Sequence, residues 1–313
     1  MQKLKAWDGI WIVSIANNID SEKINSSSFK SFIRILQEHL WFNVKIWKNI
    51  FSDIEWVKQK KRAEDFNNFL KDDEIKMIWP IWGWAFTNEI LPFIDWDLFN
   101  KSPKITCWYS DITALNNAIY AKTWNISYSW PTPWSLSPNR YWNLETFLYF
   151  KDILIDWKDF KLKWHDFYFD YTADKELYPD QIIYDWWLKY INKWKIEWTI
   201  VGWNLSTFSL LFGTEFMPNL DNKIIFIEEC SESNIWTIRR QLMHLKEQKN
   251  FDNISWVIFW RINQACLKDY DITWEWTVKD FASNINVPVI MNAQFWHISP
   301  IQTFPVWWYV EIY

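Results

Sequence analysis

Apolar and polar positions fall into short alternating blocks through the first half of the chain. Residues 10–15 form an almost unbroken apolar run, the pattern of a strand buried on both faces. Residues 27–40 carry Phe29, Phe32, Ile33, Leu36 and Leu40 at helical spacing, which predicts an amphipathic helix. Residues 42–46 read as a second strand and 60–70 as a second helix. Further strands are predicted at 75–81 and 104–109, with helices opening near Thr87 and Asp111. Strand and helix in turn imply a mainly parallel sheet with helices on both faces.

From 131 to about 185 the pattern gives way to prolines, aromatics and charges, including Pro131-Thr132-Pro133 and Tyr178-Pro179-Asp180. We place the passage between two domains there. Beyond it, apolar runs at 199–201, 223–227, 256–259 and 287–291, with a helix over 235–248, describe a second α/β unit. The fold class expected is α/β, with an N-terminal, mainly parallel domain over 1–175 and a smaller C-terminal α/β domain over 176–313.

Composition changes this picture in one respect. The chain has 4 glycines and 29 tryptophans in 313 residues, whereas about 7% glycine, roughly 22 residues, is usual. Tryptophan stands in turn-like contexts such as Thr123-Trp124-Asn125, Ser129-Trp130-Pro131 and Gly202-Trp203-Asn204, where glycine supplies positive φ or lets backbones approach. We read most of these tryptophans as glycines of the native protein, encoded by UGA codons that a few bacterial lineages translate as glycine. A tryptophan-rich carbohydrate binder or membrane-interface protein is the alternative, but such aromatics gather on one face and these are spread along the whole length.

Charge and cysteine content narrow the class of partner. Lys+Arg 33 against Asp+Glu 38 gives a net charge of −5, which argues against nucleic acid and anionic membranes. The basic cluster at 58–62 reads as a solvated helix face. Cys107, Cys230 and Cys266 are far apart and form no CxxC, suggesting a reducing compartment and no metal site. The apolar run near the start is short and lacks a small-residue cleavage site, and no stretch reaches transmembrane length. A cytoplasmic protein is expected.

Three features could carry chemistry. In Lys104 to Leu115 a strand ends, one serine follows and a helix begins, the form of a nucleophile elbow at Ser110. A helix cap is the competing role for that serine. Of the four histidines, His39 and His244 fall in helical patterns and His165 is ambiguous. His297 follows a buried strand and is the best general-base candidate. Glu228 and Glu229 end the apolar strand at 224–227, and strand alternation would turn one acid into a cleft and the other away. A Ser, His and Glu set makes a serine hydrolase. Neither HExxH, nor a phosphate-binding loop, nor a dinucleotide fingerprint occurs, so no cofactor is expected.

The motifs, in this order, resemble one family. Gly83-Trp84 stands at a paired-glycine segment, and Trp108-Tyr109-Ser110-Asp111-Ile112-Thr113-Ala114-Leu115 is similar to Gly-Tyr-Ser-Asp-Ile-Thr-Ala-Leu. Gly202-Trp203-Asn204-Leu205-Ser206 resembles Gly-Gly-Asn-Leu-Ser, and Ile227-Glu228-Glu229 and Trp296-His297-Ile298-Ser299-Pro300 resemble the family's Glu and Gly-His-x-x-Pro motifs. The family is the LD-carboxypeptidase and microcin C immunity serine peptidases.

The resemblance implies a catalytic Ser110, Glu228 and His297, with an oxyanion hole from backbone amides at Gly83, Trp84 and Asp111. Asn204 and Arg261 become candidates for binding substrate. Nucleophile in one domain and acid and base in the other would place the active site at the domain interface, often within a homodimer. Two substrate classes follow, murein tetrapeptides and aspartyl-nucleotide amides, and 211–218 and 228–233 look closer to the immunity branch. A catalytically silent two-domain ligand-binding protein is the alternative.

Overall fold

The apolar run near the start forms β1 (Gly9–Val13), in which only Trp11 is partly open to solvent. It lies inside a four-stranded sheet of order β2-β1-β3-β4, with β2 at Asn43–Ile46, β3 at Ile75–Pro80 and β4 at Ile105–Thr106. All three pairings are parallel, so each connection crosses over a face of the sheet. The computed structural model describes residues 2–17, 21–50, 59–83, 85–136, 144–160, 167–170, 182–184, 189–190, 196–229, 233–260, 272–293, 298–307 and 309–312. The chain divides into two units, Met1–Phe160 with Gln302–Pro305, and Lys161–Ile301 with Val306–Tyr313. The expected passage at 175–176 lies outside the described residues.

Helices of the first unit are α1 (Ser21–Ile24), α2 (Ser27–Arg34), α3 (Gln59–Lys71), α4 (Thr87–Ile90), α5 (Trp96–Lys101), α6 (Thr113–Thr123) and α7 (Leu144–Leu154). Register pairs Ile12 with Trp79 and Trp11 with Ile78, so the two tryptophans point to opposite faces of the sheet. Trp79 meets Phe32 of α2 and stacks on Phe150 of α7, while Trp11 stacks on Phe69 of α3. Both faces are thus covered. The helix α7 lies inside the passage expected to be irregular. Its apolar residues, at 144, 147, 148, 150, 153 and 154, are spread around the helix and give no clear period. Strand β5 (Ser127–Ser129) pairs with the chain at 304–306.

Residue Arg62 corrects the reading of the basic cluster at 58–62. Lys60 and Lys61 are exposed, but Arg62 is buried. It lies four and seven residues before Phe66 and Phe69, on the face of α3 that packs inward.

In the second unit, strands β6 (Phe167–Asp170), β7 (Ile182–Tyr184) and β13 (Ile298–Ser299) form an antiparallel sheet of order β13-β6-β7. The larger sheet has six strands: β8 (Lys189–Tyr190), β9 (Ile196–Asn204), β10 (Lys223–Glu228), β11 (Trp256–Trp260), β12 (Val289–Ala293) and β15 (Tyr309–Ile312). Its order is β15-β9-β10-β11-β12-β8, parallel over β9 to β12 and antiparallel at both edges. The strand at Phe304–Val306 is β14. Gly202 in β9 has φ +97, and a Cβ there would stand 2.4 Å from the carbonyl oxygen of Phe226, so the strands approach this closely only because the position is glycine. Connecting helices are α8 (Leu205–Ser209), α9 (Ile235–Lys246) and α10 (Trp274–Ser283). Asn234 caps α9 and Thr273 caps α10. α10 was not evident from the sequence, although Trp274 and Phe281 bracket Phe259 of β11 edge-on.

Candidate functional site

The candidate residues follow the carboxyl ends of parallel strands, the edge at which α/β sheets bind ligands. In the first unit Gly83 and Trp84 come after β3 and Ser110 after β4. In the second, Asn204 ends β9, Glu228 ends β10, and the sequence reaches Arg261 directly after β11 and His297 four residues after β12. Trp84, Arg261 and His297 lie outside the described residues.

After β4 the chain stays extended through Tyr109 (φ −134, ψ −163) and then turns left-handed at Ser110, with φ +53. A 3-10 turn over Ser110–Ile112 leads into α6. Neither helical segment draws a side-chain cap at its start, so the capping role weighed for Ser110 is not the one it plays. A half-buried serine in a conformation that L-residues avoid, between strand and helix, is the geometry of a nucleophile elbow. Asn116 of α6 steadies the approach by donating to the carbonyl oxygens of Trp108 (2.8 Å) and Tyr128 (3.3 Å).

The loop after β3 abuts this turn. A Cβ on Gly83 would stand 2.6 Å from Cζ3 of Trp108 and 3.1 Å from Cγ1 of Ile112. The Trp108 ring stacks on Tyr109, and Tyr109 on Trp130. Three residues before the serine, Cys107 is buried, its thiol donates to the carbonyl oxygen of Trp130, and burial pushes it well above the ordinary thiol range. It is no competing nucleophile, because the thiolate is the reactive form.

In the second unit Asn204 lies beside Glu228 in the parallel register. Its Oδ1 accepts from the Thr207 amide (3.0 Å) and so caps α8, leaving Nδ2 to donate to Glu228 Oε2 at 3.0 Å and Glu229 Oε1 at 3.4 Å. Both acids are buried, at 1% and 5% exposure. The expected opposite facing does not hold. β10 ends at Glu228, and the pleat that would separate the pair ends with it. Glu229 Oε2 accepts from the Ser206 amide (2.9 Å) and Ser206 Oγ (2.5 Å), and that hydroxyl also meets Ser233 and Gln241. Sequence reasoning missed Ser206, Ser233 and Gln241. Ser206 was within reach, since it lies in the Asn204-Leu205-Ser206 motif.

Residues 10–129 match the LD-carboxypeptidase N-terminal domain and residues 199–312 the LD-carboxypeptidase C-terminal domain. The Microcin C7 self-immunity protein MccF of Escherichia coli is 30% identical over 79% of this chain and 74% of its own length.

The chain belongs to the LD-carboxypeptidase family.

Among other relatives, YocD of Bacillus subtilis (strain 168), which carries a carboxypeptidase name, is 29% identical over 97% of this chain and 93% of its own. The crystal structure of an MccF-like protein from Bacillus anthracis superposes with a TM-score of 0.82 at 28% identity, covering 97% of this chain and 93% of that one. The two parallel α/β sheets are the architecture of such MccF-like structures. As a member of this family of LD-carboxypeptidases the chain is a serine-type hydrolase, and the silent ligand-binding alternative is not favoured. Among the described residues no helix is long and apolar enough to cross a membrane, and no group of His, Cys, Asp or Glu is placed to hold a metal ion.

Proposed function

We propose that Ser110 is the nucleophile of a carboxypeptidase-type amide hydrolysis, with His297 as general base and Glu228 as the acid that orients it. The observation that carries this reading is the left-handed Ser110 between an extended residue and a helix. His297 takes the hydroxyl proton as Ser110 Oγ attacks the substrate carbonyl, then gives it to the departing amine. Water, activated by the same imidazole, hydrolyses the acyl-enzyme to release the acid and restore the serine. Amides at Gly83, Trp84 and Asp111 would receive the developing oxyanion, each donor being worth about 3 to 4 kcal/mol in comparable sites.

The choice of Glu228 over Glu229 is supported by the hydrogen bonds. Ser206 engages one Glu229 oxygen twice and Asn204 the other, which commits Glu229 to holding the strand end. Asn204 and Arg261 are proposed to contact the substrate, the Arg261 guanidinium by donating to the substrate's carboxylate. The substrate is a murein tetrapeptide in cell-wall recycling or an aspartyl-nucleotide amide, as the microcin self-immunity relative suggests. The protein is proposed to act in the cytoplasm as a homodimer, with glycine as the native residue at most of the tryptophan positions. Chain carrying glycine at 84, 108 and 296, assayed side by side on a murein tetrapeptide and an aspartyl-adenylate amide, tests the reading. Ser110→Ala is expected to abolish turnover while keeping affinity. Turnover that survives the substitution rejects Ser110 as nucleophile.

A further inference from the structure

An oxyanion hole assembled from the β3 loop and the Ser110 turn needs its two donor segments held at a fixed spacing, because donors act only within about 2.7 to 3.1 Å of the oxyanion. One buried side chain links them. Asp111 Oδ2 accepts both the Thr87 amide (2.9 Å) and the Thr87 hydroxyl (2.5 Å). Asp111 is 3% exposed and Thr87 is fully buried. Thr87 opens α4 immediately after the Gly83 loop, and the same loop is pinned earlier where the Ala85 amide donates to Asn17 Oδ1 at 2.7 Å.

Behind this pair stands Arg62, 6% exposed, which donates to the carbonyl oxygens of Ile15 (3.1 Å) and Ala16 (2.7 Å) and pairs with Glu89 of α4 at 3.3 Å. Burial lowers the pKa of Arg62, opposed by the charges of Glu89 and then Asp111. A guanidinium stays protonated even so. A buried carboxylate is costly unless paired and hydrogen-bonded, and Asp111 accepts two hydrogen bonds from Thr87, while Arg62 ties α3 to the loop that follows β1.

We propose that the Asp111 carboxylate and Thr87 form a positioning pair that sets the spacing of the oxyanion hole. This rests on the reading of Ser110 as nucleophile. Asp111 then has two parts to play: its amide faces the oxyanion, and its side chain fixes the segment that bears the other donors. Displacing donors by about 1 Å is enough to cost about a hundredfold in rate.

The test uses the full chain with Thr87→Val, Thr87→Ser and Asp111→Asn, steady-state kinetics on the better of the two amide substrates, and thermal melting. Thr87→Val is expected to lower kcat about tenfold and Asp111→Asn about a hundredfold, with KM within about twofold. Thr87→Ser, which keeps both donors, is expected to retain wild-type kcat. Should Asp111→Asn fail to fold, Thr87→Val carries the test, since it leaves the acid and the Thr87 amide in place. Lowered melting temperatures with kcat within about twofold of wild type, or Thr87→Ser as slow as Thr87→Val, overturn the proposal. A fluorophosphonate probe separates the two levels. Labelling of wild type at Ser110 with unaffected Thr87→Val kinetics rejects the clamp alone, whereas absence of labelling and turnover in wild type removes the nucleophile and the clamp together.

Discussion

Among the described residues, seven tryptophans, at 7, 41, 124, 130, 157, 203 and 307, hold φ between 59° and 116°. A side chain in the left-handed region costs about 1 to 2 kcal/mol, and glycine avoids that cost at the expense of backbone entropy. Trp124 is the cleanest case, because it ends α6 with φ +60 and is 72% exposed, touching Tyr120 edge-on. Trp124→Gly is therefore expected to raise stability by about 1 kcal/mol in chemical denaturation. A loss of stability would argue that indole is native there. Trp108 adds a different cost, a buried Nε1–H with no partner, which removes about 1 to 3 kcal/mol that glycine would restore. At this scale Ser110 can be singled out where a strand gives way to a helix and the Glu228-Glu229 pair where an apolar strand ends, whereas Asn204 comes into view only through the family resemblance. Arg62 was not, because a charged cluster read as a whole hides the one member that falls on the apolar period.

Among elements, α8 depends on a residue that also serves the acid. Asn204 caps the helix through Oδ1 and holds Glu228 through Nδ2. Asn204→Asp keeps the cap but exchanges a donor for a third carboxylate beside Glu228 and Glu229. Crowded like charges raise the pKa of such acids in the folded state. Stability relative to the parent chain is then lost as pH rises and recovered on acidification, as melting across about pH 5 to 8 would reveal. A deficit independent of pH would mean that the added charge escapes to solvent. The parallel strands were legible as elements because double-sided burial leaves continuous apolar runs such as 224–227. α7 was not, because its apolar residues are distributed around the axis and aromatic and charged residues lie on either side. α10 was missed although its cap, Thr273, and apolar Trp274, Val278 and Phe281 carry a helical period.

Across the whole molecule, each parallel sheet carries candidate residues at its carboxyl edge, a regularity that follows from strand direction alone. The order of strands was not legible, because β15 and β8 reach the edges of the second sheet from distant parts of the chain. The expected pair of domains omitted a return of the chain, in which Gln302–Pro305 belongs to the first unit although everything from Lys161 to Ile301 belongs to the second. Gln302, Thr303 and Phe304 are buried, and the Phe304 ring lies 4.6 Å from that of Phe160. A chain stopped at residue 300 is expected to lose cooperative unfolding, because the cut removes β14 from the first unit and β15 from the second. Retention of a single sharp transition by calorimetry would refute this. Dividing the gene between 160 and 161 therefore yields no two self-sufficient polypeptides: the front piece would wait for a short stretch encoded well downstream, and in the cell its folding cannot finish until the ribosome has passed that stretch.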